Sequence, residues 1–262
     1  MRLTAGIRLD CLGLPFRKAI TRAGRLGARA VQFNSAGELS PEKLSETGRR
    51  ELLHLLHSEN LHLAALHCPL RQGLETPVDQ EPRLAKILKA IDLSASLGAR
   101  LVTLHPGKIP ADTDSTATRA LRESLSFLAV QGDRRGVRIG LVTGPDSGQA
   151  LADLISTFDT GALGAVIDPA GLQLHGFDLE GAVKSLVGRV HLVWARELAS
   201  SHTRVMREVP LGSGSLDWVA LLATLHETGY QGPLLLSREE GIFPPEELEA
   251  SFRFLQSLLP AR

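Results

Sequence analysis

Eight short apolar segments, each followed by a longer amphipathic segment, constrain the fold of this 262-residue chain more than any other feature. These segments are rich in Val, Leu and Ile, which is typical of parallel strands that are buried on both faces. The alternation predicts an α/β fold in which helices join parallel strands. The predicted strands are Leu3–Arg8, Ala30–Asn34, His62–His67, Leu101–His105, Val137–Val142, Leu163–Asp168, Val190–Trp194 and Leu234–Ser237.

The segments between the predicted strands carry helix signals. Apolar residues recur at helical spacing within 248–259. Ser40 before Pro41 predicts a helix N-cap followed by a first-turn proline. The sequence Leu-Gly-Ala-Arg occurs at 26–29 and again at 97–100. Each copy predicts a helix that stops at its glycine and leads directly into a strand.

The number of strand–helix units and the length of the chain favour a closed barrel. A (β/α)8 TIM barrel typically contains about 250 residues and eight such units. Composition does not change along the chain, so we expect a single TIM-barrel domain over residues 1–262. A doubly wound open sheet is the alternative, but no glycine-rich phosphate-binding fingerprint follows the first predicted strand.

Charge and cysteine content limit the expected partners. The chain has 29 Lys and Arg residues and 29 Asp and Glu residues, so its formal net charge is zero. We therefore expect neither a nucleic acid nor a membrane as partner. Cys11 and Cys68 are too few for a disulfide framework and match no metal-ligand spacing. With no signal-peptide pattern and no apolar run of membrane-spanning length, we expect a cytoplasmic protein.

Four sequence blocks occur in the order found in one known family of barrels. They are Asp-Pro-Ala-Gly-Leu at 168–172, Val-Trp-Ala-Arg-Glu at 193–197, Val-Pro-Leu-Gly-Ser-Gly-Ser-Leu-Asp at 209–217 and Ser-Arg-Glu at 237–239. In these blocks the chain resembles the sugar phosphate isomerase/epimerase family, the xylose-isomerase-like TIM barrels. The resemblance implies an isomerase or epimerase lineage acting on carbohydrates. It also implies a divalent cation (Mn, Mg, Co or Zn) at the barrel mouth as the family cofactor.

Most of the metal ligands that the resemblance implies are replaced in this chain. The family holds its cation with a Glu from strand five, an Asp from strand six, a His from strand seven and a Glu from strand eight. The two glutamates also act as acid and base. Asp168 matches the aspartate, whereas the other positions carry Val142 (or Thr143, if the register shifts by one), Trp194 and Ser237. Valine and tryptophan offer no ligand for a hard cation, so we expect no metal cofactor and no metal-dependent proton transfer.

Candidate site residues follow from the fold, because TIM barrels place their active sites at the C-terminal ends of the strands. Asp168 at such an end is a relic ligand, a hydroxyl acceptor, a general base or a cap of the turn before Pro169. Trp194 is either a plug in the former metal site or a platform for sugar stacking. The catalytic candidates are Asp168, His67, His105 and Glu239, and the substrate-binding candidates are Arg8, Gln32, Asn34, Trp194, Arg196 and Glu197.

Two functional hypotheses remain open at this point. The first is an enzyme of the sugar isomerase lineage that acts on a carbohydrate without the usual metal. The second is a non-catalytic pseudoenzyme that binds a carbohydrate or a protein partner, and for either one a homo-oligomer is an expected state. An open polar cleft at the barrel mouth would favour the enzyme. A mouth filled by Trp194 and Val142 would favour the pseudoenzyme.

Overall fold

Eight parallel strands form a closed barrel in the computed structural model, which describes residues 3–200 and 205–259. Every strand pairs in parallel with both of its neighbours, and the last barrel strand closes the ring against the first. The predicted (β/α)8 barrel is therefore confirmed. The barrel strands are β1 (Thr4–Arg8), β2 (Ala30–Asn34), β3 (His62–His67), β4 (Leu101–Leu104), β5 (Arg138–Val142), β6 (Leu163–Ile167), β7 (Val190–Ala195) and β10 (Pro233–Leu236).

Helices surround the barrel and connect its strands. No helix in the described ranges is both long enough and apolar enough to cross a membrane. Between β7 and β10 the chain also forms an antiparallel hairpin of β8 (Glu197–Ser200) and β9 (Met206–Val209), which the sequence analysis did not predict. The helices are α1 (Phe16–Arg25), α2 (Glu46–Ser58), α3 (Gln80–Leu97), α4 (Thr116–Arg135), α5 (Gly148–Ser156), α6 (Pro169–Leu174), α7 (Leu179–Ser185), α8 (Trp218–Glu227) and α9 (Pro245–Ser257).

The start of α2 differs from the prediction. Ser40 was predicted to cap this helix, but it ends a short 3₁₀ turn, and its carbonyl accepts hydrogen bonds from the backbone amides of Lys43 and Leu44. The cap is Ser45, whose hydroxyl accepts a hydrogen bond from the backbone N–H of Gly48 at 3.2 Å. Either serine hydroxyl can accept such a bond. Which serine caps α2 therefore depends on the backbone conformation and not on residue type.

The two predicted glycine helix ends are confirmed. The chain after α1 and α3 turns at Gly27 and Gly98, which have left-handed φ values of 82° and 73°. Strands β2 and β4 follow directly after these turns. The repeated Leu-Gly-Ala-Arg sequence thus serves the same purpose twice, because glycine adopts this conformation without the steric cost that a Cβ would add.

The apolar core has two parts, one between the helices and the barrel and one inside the barrel. Trp194 is the largest side chain inside the barrel and is fully buried. Two positions where the family resemblance implied metal ligands, Val142 and Trp194, thus belong to the packed interior. The inner cluster consists of Ala30, Ala64, Ala65, Leu101, Val142, Val166, Leu192, Trp194 and Leu235.

The contact between α5 and α7 leads to a stability prediction. A Cβ atom at Gly148 would collide with the Cα and Cβ of Ala182 in α7, and the rigid backbone of that helix cannot yield easily. We expect Gly148→Ala to lower the free energy of unfolding by about 1–3 kcal/mol. The control Gly161→Ala places its Cβ in open space and should change stability by less than about 0.5 kcal/mol. Urea denaturation measures both, and equal midpoints would contradict this packing.

Candidate functional site

The guanidinium group of Arg8 lies at the barrel mouth and contacts residues from two other strand ends. Its Cζ is 4.1 Å from the ring centroid of Trp194, so the cation faces the indole π-system. Nη1 donates a hydrogen bond to the hydroxyl of Ser237 at 3.0 Å and forms a salt bridge with Glu239. The Arg8 side chain is buried by these contacts. A fixed cation therefore lies between the C-terminal ends of β1, β7 and β10.

Below Arg8, a chain of buried polar contacts holds Trp194 in place. The indole Nε1 donates to Oε1 of Gln32 at 2.9 Å, and Nε2 of Gln32 donates to the hydroxyl of Thr103 at 2.7 Å. Nδ1 of His67 lies 3.0 Å from the same hydroxyl. The rings of His67 and His105 flank the indole, with centroids 5.5 and 5.6 Å away. Because these rings and Arg8 cover an indole that is 0% exposed, Trp194 presents no face on which a sugar can stack.

A second guanidinium group joins the carboxylates on the other side of the mouth. Nε of Arg196 donates to Asp168 at 2.6 Å, and Nη1 donates to Glu208 of β9, also at 2.6 Å. Burial alone would lower the pKa of Arg196, but the two carboxylates raise it. Glu208 also accepts hydrogen bonds from the backbone amides of Glu239 and Glu240. Although Asp168 occupies the N-cap position of α6, its carboxylate makes no capping bond and is committed to this ion pair.

Glu197 is engaged in a structural role beside the mouth. Its carboxylate accepts hydrogen bonds from the backbone amides of Gly212 at 2.7 Å and Leu216 at 2.9 Å, and from the indole Nε1 of Trp218 at 3.2 Å. With 1% exposure and three donors, this carboxylate fixes the loop before α8. The structure gives no support to the predicted substrate-binding role of Glu197, since its oxygens are already occupied.

Comparison with known proteins identifies the family. A family model described as the xylose isomerase-like TIM barrel matches residues 20–258. The chain belongs to this family. No curated protein matches the chain in sequence.

Solved structures of xylose isomerase-like barrels share the fold. A xylose isomerase domain protein from Planctomyces limnophilus has a TM-score of 0.83 at 20% identity, with 98% of this chain and 95% of the other covered. A D-tagatose 3-epimerase-like protein has a TM-score of 0.79 at 18% identity, covering 98% of this chain and 97% of its own. D-Psicose 3-epimerase from Clostridium cellulolyticum, solved with D-tagatose, has a TM-score of 0.78 at 15% identity, covering 99% and 100%.

The residues at the four family ligand positions do not fit a divalent cation. Val142 faces the apolar interior, while the hydroxyl of Thr143 accepts the backbone N–H of Asp168 at 2.9 Å, so a shift of register does not restore a ligand. Trp194, where the resemblance implies a histidine, is fully buried, and Ser237 already accepts a guanidinium hydrogen bond. Within the described part of the chain, no group of three or more His, Cys, Asp or Glu side chains can hold a metal ion.

Burial and neighbouring charges shift the pKa values of three of the four catalytic candidates. Burial, together with the Arg8 charge, lowers the pKa of His67 well below its ordinary value. Burial also lowers the pKa of His105. For Glu239, burial would raise the pKa, but the charge and hydrogen bond of Arg8 outweigh it and lower the pKa. At neutral pH the two imidazoles are therefore neutral and the Glu239 carboxylate is ionised.

Two buried polar atoms at the mouth have no hydrogen-bond partner in the described structure: Nε of Arg8 and Oδ1 of Asn34. Buried polar atoms are normally paired, so such atoms mark a place where a ligand or water completes the bonding. Glu239 is partly exposed beside Arg8, and His105 is also partly exposed. Of these four sequence-predicted candidates, Glu239 and His105 form the accessible polar rim of the mouth, whereas the unpaired atoms of Arg8 and Asn34 are buried.

Two residues of the site were missed by the sequence analysis. Thr103 is the single polar residue in the apolar strand Leu101–Leu104, and that contrast is a signal that could have identified it. Glu208 lies in the unpredicted hairpin β8–β9 and becomes a partner of Arg196 only because the hairpin folds back over the mouth. Its own sequence surroundings contain no comparable signal.

The packing of Trp194 leads to a second stability prediction. We expect Trp194→Ala to lower the free energy of unfolding by about 3–5 kcal/mol, because a large cavity would open inside the barrel. Trp194→Phe retains most of the ring volume but leaves Oε1 of Gln32 without its donor, so a smaller loss of about 1–3 kcal/mol is expected. Urea denaturation compares the two variants. A loss below about 1 kcal/mol for Trp194→Ala would show that the indole does not support the barrel.

The buried histidines predict a pH dependence of stability. A folded-state pKa below the unfolded value means that the unfolded chain binds the proton first as pH falls. The free energy of unfolding should therefore decrease as pH is lowered below about 6.5, by up to about 1.4 kcal/mol per pH unit for each such histidine. His67→Gln removes one of these histidines. It should reduce the slope of unfolding free energy against pH by up to about 1.4 kcal/mol per pH unit, which corresponds to one proton. Urea denaturation between pH 7 and pH 5 measures this, and an unchanged slope would contradict the assignment.

Proposed function

We propose that the mouth of this barrel binds a small carbohydrate without a resident divalent cation, and that the chain does not perform metal-dependent proton transfer. The observation that carries the proposal is the Arg8 guanidinium seated over Trp194 and bonded to Ser237 and Glu239. In this family the corresponding region holds the metal, as the sequence resemblance implies. In this chain the Arg8 guanidinium occupies that region, so the barrel fold is retained while the chemistry of its mouth differs.

Electrostatics disfavour a metal beside Arg8. Two like unit charges about 4 Å apart repel by about 4 kcal/mol at an effective dielectric constant of about 20, and a divalent ion doubles this cost. The carboxylates that would compensate a metal are already paired, Glu239 with Arg8 and Asp168 with Arg196. Releasing either carboxylate for a metal would leave a guanidinium group unpaired in a largely buried environment.

The protonation states at the mouth also argue against the family reaction. Moving a proton beside a carbonyl needs one group that accepts it and another that returns it. His67 and His105 have lowered pKa values from burial, and Glu239 has a lowered pKa because Arg8 outweighs the effect of its burial. All three are proton acceptors at neutral pH. Asp168 is the remaining catalytic candidate for the group that returns the proton. Its carboxylate, however, is bound to Arg196.

The accessible rim supports binding of a polyhydroxy compound. His105 and the Glu239 carboxylate present polar atoms at this surface. The buried Nε of Arg8 and Oδ1 of Asn34 are a donor and an acceptor without partners among the described residues. Sugar hydroxyl groups donate and accept at once, so they match such a mixture of groups better than a purely charged ligand does. The solved neighbours named for D-tagatose and D-psicose suggest ketohexoses as the first probes.

A metal-independent isomerase is the second candidate function. The observation in its favour is the electrostatic coupling of His105 and Glu239: the Glu239 charge raises the pKa of His105, and a protonated His105 lowers the pKa of Glu239. This alternative predicts turnover of a ketohexose in the presence of EDTA. A protein-binding pseudoenzyme, the remaining alternative, predicts neither turnover nor saccharide binding.

The first test is thermal unfolding with Mn²⁺, Mg²⁺, Co²⁺ or Zn²⁺, each compared with an EDTA control. A ligand at one hundred times its dissociation constant adds about 2.7 kcal/mol of stability. For a chain of this size, such binding should raise the unfolding midpoint by at least about 5 °C. We expect no EDTA-reversible shift with any of the four ions. A clear shift, or epimerisation of D-tagatose that needs one of them, would overturn the proposal.

The second test measures saccharide binding at the mouth. Trp218→Phe leaves Trp194 as the only tryptophan, so its fluorescence reports contacts with Arg8. We expect D-tagatose, D-psicose or a related sugar to change this fluorescence saturably in the presence of EDTA. Arg8→Met should weaken binding at least about tenfold, because a charged hydrogen-bond donor is lost. The matched control Arg17→Met removes an exposed arginine from α1 and should leave binding unchanged.

A further inference from the structure

A cavity of about 330 Å³ lies at the N-terminal face of the barrel, opposite the mouth. Its wall contains the first residues of β3 and β5, His62 and Arg138, together with His191 near the start of β7 and the segment 228–233 before β10. The volume falls in the range of small-molecule sites, roughly 300–1,000 Å³. Leu192 forms part of the wall and belongs to the same inner cluster as Trp194, so the packed interior separates this cavity from the mouth.

A β-bulge directs His191 toward this cavity. Ala165 pairs with Val190 and Val166 pairs with Leu192, so His191 is the extra residue of β7 in its pairing with β6. Bulges commonly change the direction in which a side chain points. The imidazole ring then lies against Gly164 of β6, where a Cβ atom would collide with ring atoms Cε1 and Nε2. The ring fits in this position because Gly164 has no side chain.

The ring of His191 has an unused polar atom. Its Nδ1 is buried and has no hydrogen-bond partner in the described part of the chain. Burial, followed by the charges of Arg138 and Arg189, lowers the pKa of His191 to about 3. Because a buried polar atom without a partner costs free energy, a position of this kind is typical of a site that a ligand completes.

The surroundings of His191 carry positive charge without compensation. Neither Arg138 nor Arg189 forms an ion pair or a side-chain hydrogen bond with any described residue. The residues that line the cavity include Arg138, His62 and His191 but no aspartate or glutamate. Because burial lowers the pKa of both histidines, Arg138 is the one charged side chain among the described residues that line the cavity, and its uncompensated charge attracts anions.

We propose that this N-terminal cavity binds a small organic anion, whose phosphate or carboxylate group is held by Arg138 and by the imidazole ring of His191. A guanidinium group binds either anion in a bidentate manner. The organic part of the ligand packs on Tyr230 and Leu101, which line the same cavity. The Tyr230 hydroxyl donates to the carbonyl of Pro233 at 2.7 Å, so this residue offers its ring to the ligand.

The test uses three probes, inorganic phosphate, glucose 6-phosphate and neutral glucose, with the full-length protein in EDTA. Nitrogen-15 spectra of the histidine rings provide a local readout, and His191→Phe assigns the His191 signal by its loss. We expect both phosphates to shift the ring-nitrogen resonances of His191 saturably and glucose to leave them unchanged. Tighter binding of glucose 6-phosphate than of inorganic phosphate would identify an organic phosphate as the occupant, and equal binding a free anion.

Arg138→Gln tests the guanidinium contact, and Arg119→Gln on α4 is its matched control. Both arginines are exposed and lack side-chain bonds to described residues, so neither substitution should disturb folding, which the unfolding midpoint verifies. We expect Arg138→Gln to weaken phosphate binding at least about tenfold and Arg119→Gln to leave it unchanged.

Three results would overturn the proposal: no shift of the His191 signal at tens of millimolar phosphate, equal affinities of the two arginine variants, or an equal shift with glucose. The Arg8→Met variant separates this proposal from the function of the mouth. It removes a mouth residue and should leave the His191 response intact, whatever its effect on saccharide binding.

Discussion

At the barrel mouth the guanidinium group of Arg8 lies 4.1 Å from the indole ring centroid of Trp194, and the other features of the mouth depend on this contact. It covers the indole, which has no exposed surface, and it brings a positive charge between Ser237 and Glu239. The indole can occupy this depth because Gln32 accepts the hydrogen of its Nε1. A large aromatic ring whose only polar atom is paired can replace polar ligands inside a barrel at little cost in free energy.

Charge at the mouth is balanced by side chains. Arg8 pairs with Glu239, and Arg196 pairs with both Asp168 and Glu208. Buried carboxylates need a partner, which is a metal ion in many active sites and a guanidinium group here. The same arrangement explains why the carboxylate of Asp168 is not free to act alone. Its charge is part of a buried ion triad that also ties the hairpin β8–β9 to the barrel.

The two ends of the barrel differ in how their charges are paired. At the mouth, Arg8 and Arg196 each have a carboxylate partner, and the unpaired buried atoms among the described residues are Nε of Arg8 and Oδ1 of Asn34. At the opposite face, Arg138 and His191 meet at a cavity that no acidic residue of the described chain lines. TIM barrels conduct their chemistry at the C-terminal end of the strands, so a binding site at the other end is free to serve a different ligand.

The sequence by itself determined the barrel, the approximate positions of its strands and two helix ends, because apolar strand segments and glycine helix ends are local properties. It also predicted strand ends at Val142, Trp194 and Ser237, and the corresponding strands end at Val142, Ala195 and Leu236. Only the tertiary structure decided which groups these residues meet. Arg8 and Glu239 are 231 positions apart, Glu208 reaches the mouth through a hairpin without a clear sequence pattern, and His191 turns inward at a bulge. Contacts of this kind depend on how distant segments pack, which no local pattern of residues encodes.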